Sequence, residues 1–232
     1  MKKTVPFQTF SSSNFHTLCN WLSHKDPELA LVISTYDYPP MWTRPNSFET
    51  LVHFILEQQV SLASALAALN KLREKIGEIT PERFLLLSDA ELRACYVSRQ
   101  KTIYTRFLAE SIVNGGINLK EMETLPDAEV RQRLITLKGI GNWTIDVYLM
   151  FVLRHTDVFP TGDLAAIKAL LAVKNLPKDT PREKLLRIAE KWAPYRTIAT
   201  MILWHFYLSS RKKTVTAGFR SGFLIYAFFM GS

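Results

Sequence analysis

One stretch of the sequence decides the fold: Leu137-Lys138-Gly139-Ile140-Gly141-Asn142-Trp143-Thr144-Ile145. Two glycines flank one apolar residue, and this spacing favours a tight turn because glycine adopts backbone angles that other residues avoid. Apolar residues recur at helical spacing before and after the turn: Val130, Leu134, Leu137, Ile145, Leu149 and Val152. Residues 130–153 are therefore predicted to form two helices joined by a hairpin of about five residues.

A glycine hairpin of this kind suits a phosphate group. Glycine has no Cβ, so an anion can approach the main-chain N–H groups of Gly139, Gly141 and nearby residues. The second helix begins here, and its dipole favours negative charge at the N-terminus. Lys138 adds a cation. An ordinary turn between two helices is the alternative interpretation, and the glycine pair alone leaves both open. A nucleotide-binding glycine loop is excluded, because no Lys-Ser or Lys-Thr follows at the required spacing.

The composition is that of a folded, basic protein. The chain has 232 residues, of which 47% are hydrophobic and 22% charged, so it can bury a core and form one or two domains. Lys and Arg number 29 against 21 Asp and Glu, which gives a net charge of +8. A basic surplus favours a polyanionic partner. The alternative interpretation is a basic protein without such a partner.

Two cysteines, Cys19 and Cys95, are too few for a disulfide framework, a four-cysteine zinc site or an iron–sulfur cluster, and they fit a reducing compartment. The N-terminus lacks the apolar region of a signal peptide. The apolar run 222–230 is shorter than the ~20 residues of a membrane helix, so we expect no membrane span and interpret this run as a packing tail.

Helix-start signals repeat along the chain. They are Thr80-Pro81, the capping box at 88–91 and a second capping box at 180–183. Sustained strand-like alternation is hard to find, so we expect an all-α protein of about ten helices, with two helical lobes and a cleft between them. Residues 1–45 would pack with the C-terminal lobe, residues 46–210 would form the core, and residues 211–232 would form a basic, then apolar tail.

Five segments in combination resemble one known family: 137–144, 159–164, 55–61, 98–101, and 194–196 with Trp204. They resemble the helix–hairpin–helix (HhH-GPD) DNA glycosylase superfamily, and in particular its 3-methyladenine DNA glycosylase II (AlkA-like) branch. The resemblance implies the helix–hairpin–helix glycosylase fold. It also implies an enzyme that everts a damaged base from duplex DNA and cuts its bond to the sugar.

The resemblance assigns the catalytic role to Asp163. An alkylated purine is cationic and leaves readily, so one ionised carboxylate can stabilise the positive charge that develops on the sugar and help a water molecule to attack. The residues alone equally allow Asp163 to be the N-cap of a helix from Leu164.

Three aromatic residues are candidate substrate contacts by the same resemblance: Trp143, Trp204 and Tyr148. Trp143 stands where bifunctional relatives carry a lysine that attacks the sugar, and an indole cannot form that Schiff base, so no AP lyase activity is expected. An electron-rich ring also suits a cationic base. For Trp204 and Tyr148, a place in the hydrophobic core is the alternative.

The remaining implied contacts are with DNA and a cation. Gln58 or Gln59 would fill the gap left by the everted base, or else form a polar junction between helices. The backbone contacts would be Ser98, Lys101, Lys138, Gly139, Gly141 and Thr144. The family's hairpin often holds a monovalent cation, Na⁺ or K⁺, and the carbonyls at the matching positions are Ile135, Leu137 and Ile140. No cofactor is expected to be required, and no iron–sulfur cluster.

The hypothesis is a monofunctional DNA glycosylase that releases alkylated purines such as 3-methyladenine and 7-methylguanine in base excision repair. The alternatives are a glycosylase for another lesion, such as hypoxanthine, and a non-catalytic helix–hairpin–helix DNA-binding module. The expected partner is damaged double-stranded DNA, bound by a monomer that is cytoplasmic or nucleoid-associated, or nuclear in a eukaryote.

Overall fold

The computed structural model describes residues 8–216, with side chains for residues 8–211. Residues 217–232, most of the predicted tail, lie outside the described residues. The described part holds a π-helical turn, Tyr148–Val152, one isolated bridge, Thr9–His155, and no strand. Its α-helices are α1 (Phe15–Lys25), α2 (Pro27–Tyr36), α3 (Phe48–Glu57), α4 (Leu62–Ile76), α5 (Pro81–Leu85), α6 (Asp89–Ala94), α7 (Arg99–Val113), α8 (Leu119–Met122), α9 (Asp127–Leu134), α10 (Asn142–Val147), α11 (Leu164–Val173), α12 (Arg182–Glu190) and α13 (Arg196–Thr216).

The prediction of a helical chain is confirmed, but about ten helices was too few for the described residues. Several helices are too short to count from apolar spacing: α5, α6 and α8 have 5, 6 and 4 residues. A helix of one turn shows no apolar period in the sequence, because the period needs at least two turns to repeat.

The predicted helix starts have mixed outcomes. Thr80 caps α5 by accepting the N–H of Arg83, and Ser88 and Glu91 form the complete capping box of α6. The capping box predicted at residues 180–183 is wrong. There, Pro181 is the N-cap, and the Thr180 hydroxyl donates instead to the Pro177 carbonyl at 2.7 Å.

The chain divides into two compact units, and Arg44–Tyr148 forms the one that contains α3 to α10. Within this unit, α3 packs against α4 and α7, and α5 packs against α7. Phe54 and Ile55 of α3, Leu72 of α4 and Leu108 of α7 are fully buried. This core fixes α3 relative to α7, and both helices contribute residues to the candidate site.

The other unit combines residues 8–43 with the described residues from Leu149 onward. Within it, α13 packs against α1, α2 and α11. The N-cap of α2, Asp26, accepts hydrogen bonds from Lys174 at the end of α11 and from the Trp192 indole after α12. The N-terminal helices therefore share a core with the C-terminal ones. In the described part of the chain, no helix combines the length and apolar character that crossing a membrane demands.

Candidate functional site

The glycine hairpin connects α9 to α10 through residues 135–141, so it is longer than the predicted five residues. The additional length is a turn closed by main-chain bonds from Leu137 to Leu134 and from Ile140 to Leu137. Arg131 of α9 and Asp146 of α10 form a salt bridge of 2.6 Å across the hairpin. Burial raises the pKa of Asp146, and Arg131 opposes that rise. The salt bridge fixes the two helices against each other.

The two glycines of the hairpin have different roles. Gly139 has φ +86°, and a Cβ there would overlap the ring of Tyr104 in α7. Gly141 has φ −102° and is the N-cap of α10, and a Cβ there would meet nothing within 4 Å. The predicted backbone contacts of both glycines stay predictions, but the reason for glycine differs between the two positions. A side chain at Gly139 is excluded by packing against Tyr104, whereas at Gly141 the absence of a Cβ leaves open space where an anion can approach.

The hairpin borders a surface hollow of about 340 Å³. Its walls are Gln58, Gln59, Gln100, Lys101, Tyr104 and residues 139–141. Lys138 is exposed beside it. Ser98 is exposed as the N-cap of the 15-residue helix α7, whose first-turn amides begin near the hollow's Gln100 and Lys101. Two helix N-termini and a lysine thus make this face favourable for an anionic backbone.

Gln58 and Gln59 follow α3 directly, and their contacts distinguish one from the other. The Gln58 side-chain amide donates to the Gly139 carbonyl at 2.8 Å and to the Thr144 hydroxyl at 3.3 Å. Gln58 is therefore the polar junction that the sequence allowed as an alternative. Gln59 has a left-handed backbone, φ +58°, and an exposed side chain. Gln59 is the more exposed of the two, and its side chain has no part in this junction.

Two of the predicted backbone contacts are oriented into the protein. Thr144 is 2% exposed, and its hydroxyl faces Gln58, so the prediction of a DNA contact there does not match its position. The Lys101 ammonium donates to the main-chain carbonyl of Leu56 at 2.6 Å. Burial lowers the pKa of Lys101, while Glu57 raises it.

The unit with the terminal helices contains Asp163, which is the N-cap of α11. Its Oδ1 accepts the N–H of Ala166 at 2.7 Å and the indole N–H of Trp204 at 3.0 Å. Its own amide closes a turn onto the Pro160 carbonyl at 2.9 Å. The N-cap interpretation of Asp163 is therefore right about the local structure. The side chain stays partly exposed, so capping does not exclude a chemical role.

An aromatic cluster lies beside this carboxylate. Trp204 is 5% exposed, with Phe151 at 5.4 Å and Trp42 at 6.3 Å between ring centres. The low exposure supports the core alternative for its ring, while its N–H orients Asp163. Sequence reasoning missed Trp42 and Phe151, because neither stands in a recognisable motif.

A family model described as HhH-GPD superfamily base excision DNA repair protein matches residues 52–194, which is more than half of the chain. The chain belongs to this superfamily. The match includes the hairpin, the Gln58–Gln59 turn and Asp163.

Several relatives of this HhH-GPD protein are described as 3-methyladenine DNA glycosylases or glycosidases. DNA-3-methyladenine glycosylase 1 of Schizosaccharomyces pombe is 31% identical over 180 residues, which is 76% of this chain and 79% of the relative. The structure of a DNA-3-methyladenine glycosidase from Bacillus halodurans has a TM-score of 0.70 at 29% identity and covers 95% of this chain and 100% of its own. The structure of the Schizosaccharomyces pombe 3-methyladenine DNA glycosylase in complex with abasic DNA has a TM-score of 0.70 at 28% identity, with coverage of 82% and 95%.

The two other predicted substrate contacts of this HhH-GPD protein differ in exposure. Trp143 is half-buried as the second residue of α10. Tyr148 is 0% exposed, and its hydroxyl donates to the Asn46 side chain at 2.7 Å. Burial raises the pKa of Tyr148. The structure thus supports the core alternative for Tyr148.

The predicted cation ligands are main-chain oxygens of the hairpin. The Leu137 carbonyl accepts the Ile140 amide at 3.0 Å, and a carbonyl has a second lone pair that a cation can use. Within residues 8–216, no cluster of three or more His, Cys, Asp or Glu could hold a metal ion. The monovalent cation at Ile135, Leu137 and Ile140 stays a prediction.

Proposed function

We propose that this protein is a monofunctional DNA glycosylase that hydrolyses the bond between an alkylated purine and its sugar in duplex DNA. The observation that carries the proposal is the Asp163 carboxylate, oriented by Trp204 and lying in a chain that belongs to a base excision repair family. The names of its relatives support 3-methyladenine as a member of the substrate class.

Asp163 would act in the bond-breaking step. The base leaves with the electron pair of its bond to C1′, and a cationic alkylpurine thereby departs neutral. The positive charge that develops on the sugar is stabilised by the nearby carboxylate. A water molecule then forms the new bond to C1′ and gives up a proton, for which the same carboxylate is a suitable acceptor.

Gln59 would enter the base stack when the nucleotide is everted. Eversion costs a few kcal/mol in lost stacking and pairing, so a side chain that fills the gap favours the extruded state. Gln59 is exposed and Gln58 is bonded to the hairpin, which supports Gln59 for this role. Trp143, half-buried in α10, would stack against the cationic base.

The hairpin would bind the DNA backbone near the lesion. Gly141 leaves room for a phosphate, Lys138 supplies a positive charge, and Ser98 marks a second helix N-terminus. A Na⁺ or K⁺ ion at the hairpin carbonyls would add a positive charge close to that phosphate. The enzyme would work where the DNA is, in the nucleoid or, in a eukaryote, in the nucleus.

Release of free bases from methylated duplex DNA tests the proposal. We expect the wild type to release 3-methyladenine or 7-methylguanine, and Asp163→Asn to lower the single-turnover rate about a hundredfold or more. Asp179→Asn is the matched control, because Asp179 is exposed in the loop between α11 and α12, and its rate should equal that of the wild type.

Three other results would redirect the assignment. Equal release by wild type and Asp163→Asn would remove Asp163 from the mechanism. Release of hypoxanthine but of no alkylated purine would move the enzyme to another lesion. Tight binding to abasic duplex without release of any base would favour a DNA-binding module.

A further inference from the structure

Lys101 contacts the end of the helix that precedes the turn with Gln59. It lines the hollow beside the glycine hairpin and also a second hollow of about 340 Å³. The second hollow is bordered by Leu56, Val60 and Tyr96. The turn, residues 58–61, passes between the two hollows, and Lys101 is the one residue common to both linings.

The Lys101 ammonium is bonded to the end of α3. It donates to the Leu56 carbonyl at 2.6 Å, and α3 ends one residue later at Glu57. The last carbonyls of a helix have no partner within the helix and form the negative end of its dipole, so a cation there is favourable. Lys101 therefore fixes the position from which the turn departs.

Two further contacts hold the residues just before Gln59. Glu57 is buried and accepts a salt bridge of 2.8 Å from Arg44, and Gln58 donates to the Gly139 carbonyl at 2.8 Å. Gln59 follows with a left-handed backbone at φ +58°, a conformation that costs a non-glycine residue energy and persists only where neighbouring contacts impose it. The exposed Gln59 side chain thus follows three consecutive residues, 56 to 58, each of which is held by a contact with another part of the protein.

We propose that Lys101 is a positioning residue, which holds the turn 58–61 through the Leu56 carbonyl so that Gln59 can enter the base stack. The resemblance to the glycosylase family implies a different role for Lys101, a contact with a DNA phosphate. The two roles differ in a measurable way, because a lysine that neutralises a phosphate adds about one unit to the salt dependence of DNA binding. The inference rests on the proposed function, because that function gives Gln59 its role in base eversion. Its test does not depend on that function, because it measures DNA binding and unstacking.

The experiment compares Lys101→Met with Lys138→Met. Methionine keeps an unbranched apolar chain and removes the charge. Affinity for a duplex with a tetrahydrofuran abasic analogue is measured over a series of salt concentrations, and 2-aminopurine beside the analogue reports unstacking of the DNA. Gln59→Ala is the reference for lost insertion, and thermal unfolding shows that each variant is folded.

We expect Lys138→Met to lower the salt slope by about one and to keep the 2-aminopurine signal. Lys101→Met should keep the wild-type slope and lose the signal as Gln59→Ala does. Its single-turnover release of bases should fall roughly ten- to a hundredfold, as for other small misplacements of a positioned group. Lys101→Arg can still donate to the Leu56 carbonyl and should restore most of the 2-aminopurine signal. This variant keeps the test decisive if Lys101→Met has a folding defect.

A slope that falls by about one in Lys101→Met overturns the proposal whatever the fluorescence does. An unchanged 2-aminopurine signal in that variant overturns it as well. If the wild type releases no base, the glycosylase assignment fails, but the salt slope and the unstacking signal still decide the role of Lys101.

Discussion

Trp204 of α13 donates its indole N–H to the Oδ1 of Asp163 at 3.0 Å. The same oxygen accepts the amide of Ala166 at 2.7 Å, so two donors from different helices converge on one carboxylate oxygen. Such a carboxylate is held in one orientation before any substrate arrives. Orientation in advance is what electrostatic stabilisation of a developing charge requires, because it leaves little reorganisation for the reaction step.

Replacing Trp204 by Phe should therefore slow base release more than it weakens DNA binding. The substitution keeps an aromatic ring and removes the N–H. A hydrogen bond to a charged group contributes about 1.5–3 kcal/mol, which corresponds to roughly a ten- to hundredfold lower rate if the transition state uses all of it. Single-turnover excision on methylated duplex measures the rate, and affinity for undamaged duplex should equal that of the wild type.

Trp42→Phe is the control for lost ring volume in the same cluster, since Trp42 packs edge-on against Trp204. Its rate should stay within a fewfold of the wild type. If both variants lose the same activity, packing of the cluster, and not the Trp204 hydrogen bond, sets the rate.

Gly139→Ala should destabilise the protein. Alanine would have to adopt φ +86° and its Cβ would overlap the Tyr104 ring, so we expect a loss of about 1–3 kcal/mol in the free energy of unfolding. Urea denaturation measures it. Gly139→Ala combined with Tyr104→Ala should recover the part that is due to overlap with the ring. It should leave the part that is due to the backbone angle and to the Tyr104 Cβ, which alanine keeps and which lies 2.7 Å from the built Cβ.

Gly141→Ala is the matched variant and should act on DNA instead. A Cβ at Gly141 meets nothing within 4 Å, so the free energy of unfolding should change by about 0.5 kcal/mol or less. Affinity for abasic duplex should fall, because the methyl group occupies the space proposed for a phosphate. Unchanged affinity would contradict a phosphate contact at this glycine.

Features that depend on residues close together in the chain could be predicted from the sequence. The hairpin, the caps at Thr80 and Ser88 and the motif around Asp163 each depend on residues that are close in the chain. The resemblance then placed Trp204 in the pocket, but the Asp163–Trp204 hydrogen bond joins residues 41 positions apart and has no sequence pattern. The orienting role of Trp204 therefore required the fold.

Contacts across the fold also distinguish the two members of each pair. Gln58 and Gln59 are identical in type, and the bonds from Gln58 to Gly139 and Thr144, 81 and 86 positions away, distinguish them. Likewise Gly139 and Gly141 look equivalent until Tyr104 of another helix is packed against the first. Periodicity and motif spacing contain no information about such neighbours, because these neighbours are set by tertiary packing.

Asp26→Asn should lower stability in a pH-dependent way. Burial alone raises the pKa of Asp26, but hydrogen bonds from Lys174 and Trp192 outweigh it and hold the pKa below its usual value. The folded state therefore binds the proton less readily than the unfolded state, and the stabilisation is present above about pH 4 and lost as the pH falls. At pH 7 we expect the variant to lose about 3 kcal/mol, because Lys174 and the Trp192 indole lose a buried anionic partner.

Urea denaturation at pH 7 and again below pH 4 tests this expectation. The difference between wild type and Asp26→Asn should shrink at the lower pH. Glu28→Gln is the control, since Glu28 also pairs with Lys174 but is exposed, and it should cost less than about 1 kcal/mol. A difference that is constant with pH would show that the charge of Asp26 does not contribute.

Wild-type protein should form no covalent adduct with abasic DNA under borohydride. A lyase needs an amine that forms a Schiff base with the opened sugar, and the position where bifunctional relatives carry that lysine holds Trp143, the second residue of α10. Trp143→Lys should yield a trapped adduct on a denaturing gel, which shows that the assay can detect one. A trapped wild-type adduct would overturn the monofunctional mechanism. The hairpin itself carries the amine of Lys138, and loss of the adduct in Lys138→Met would assign the lyase chemistry to that residue.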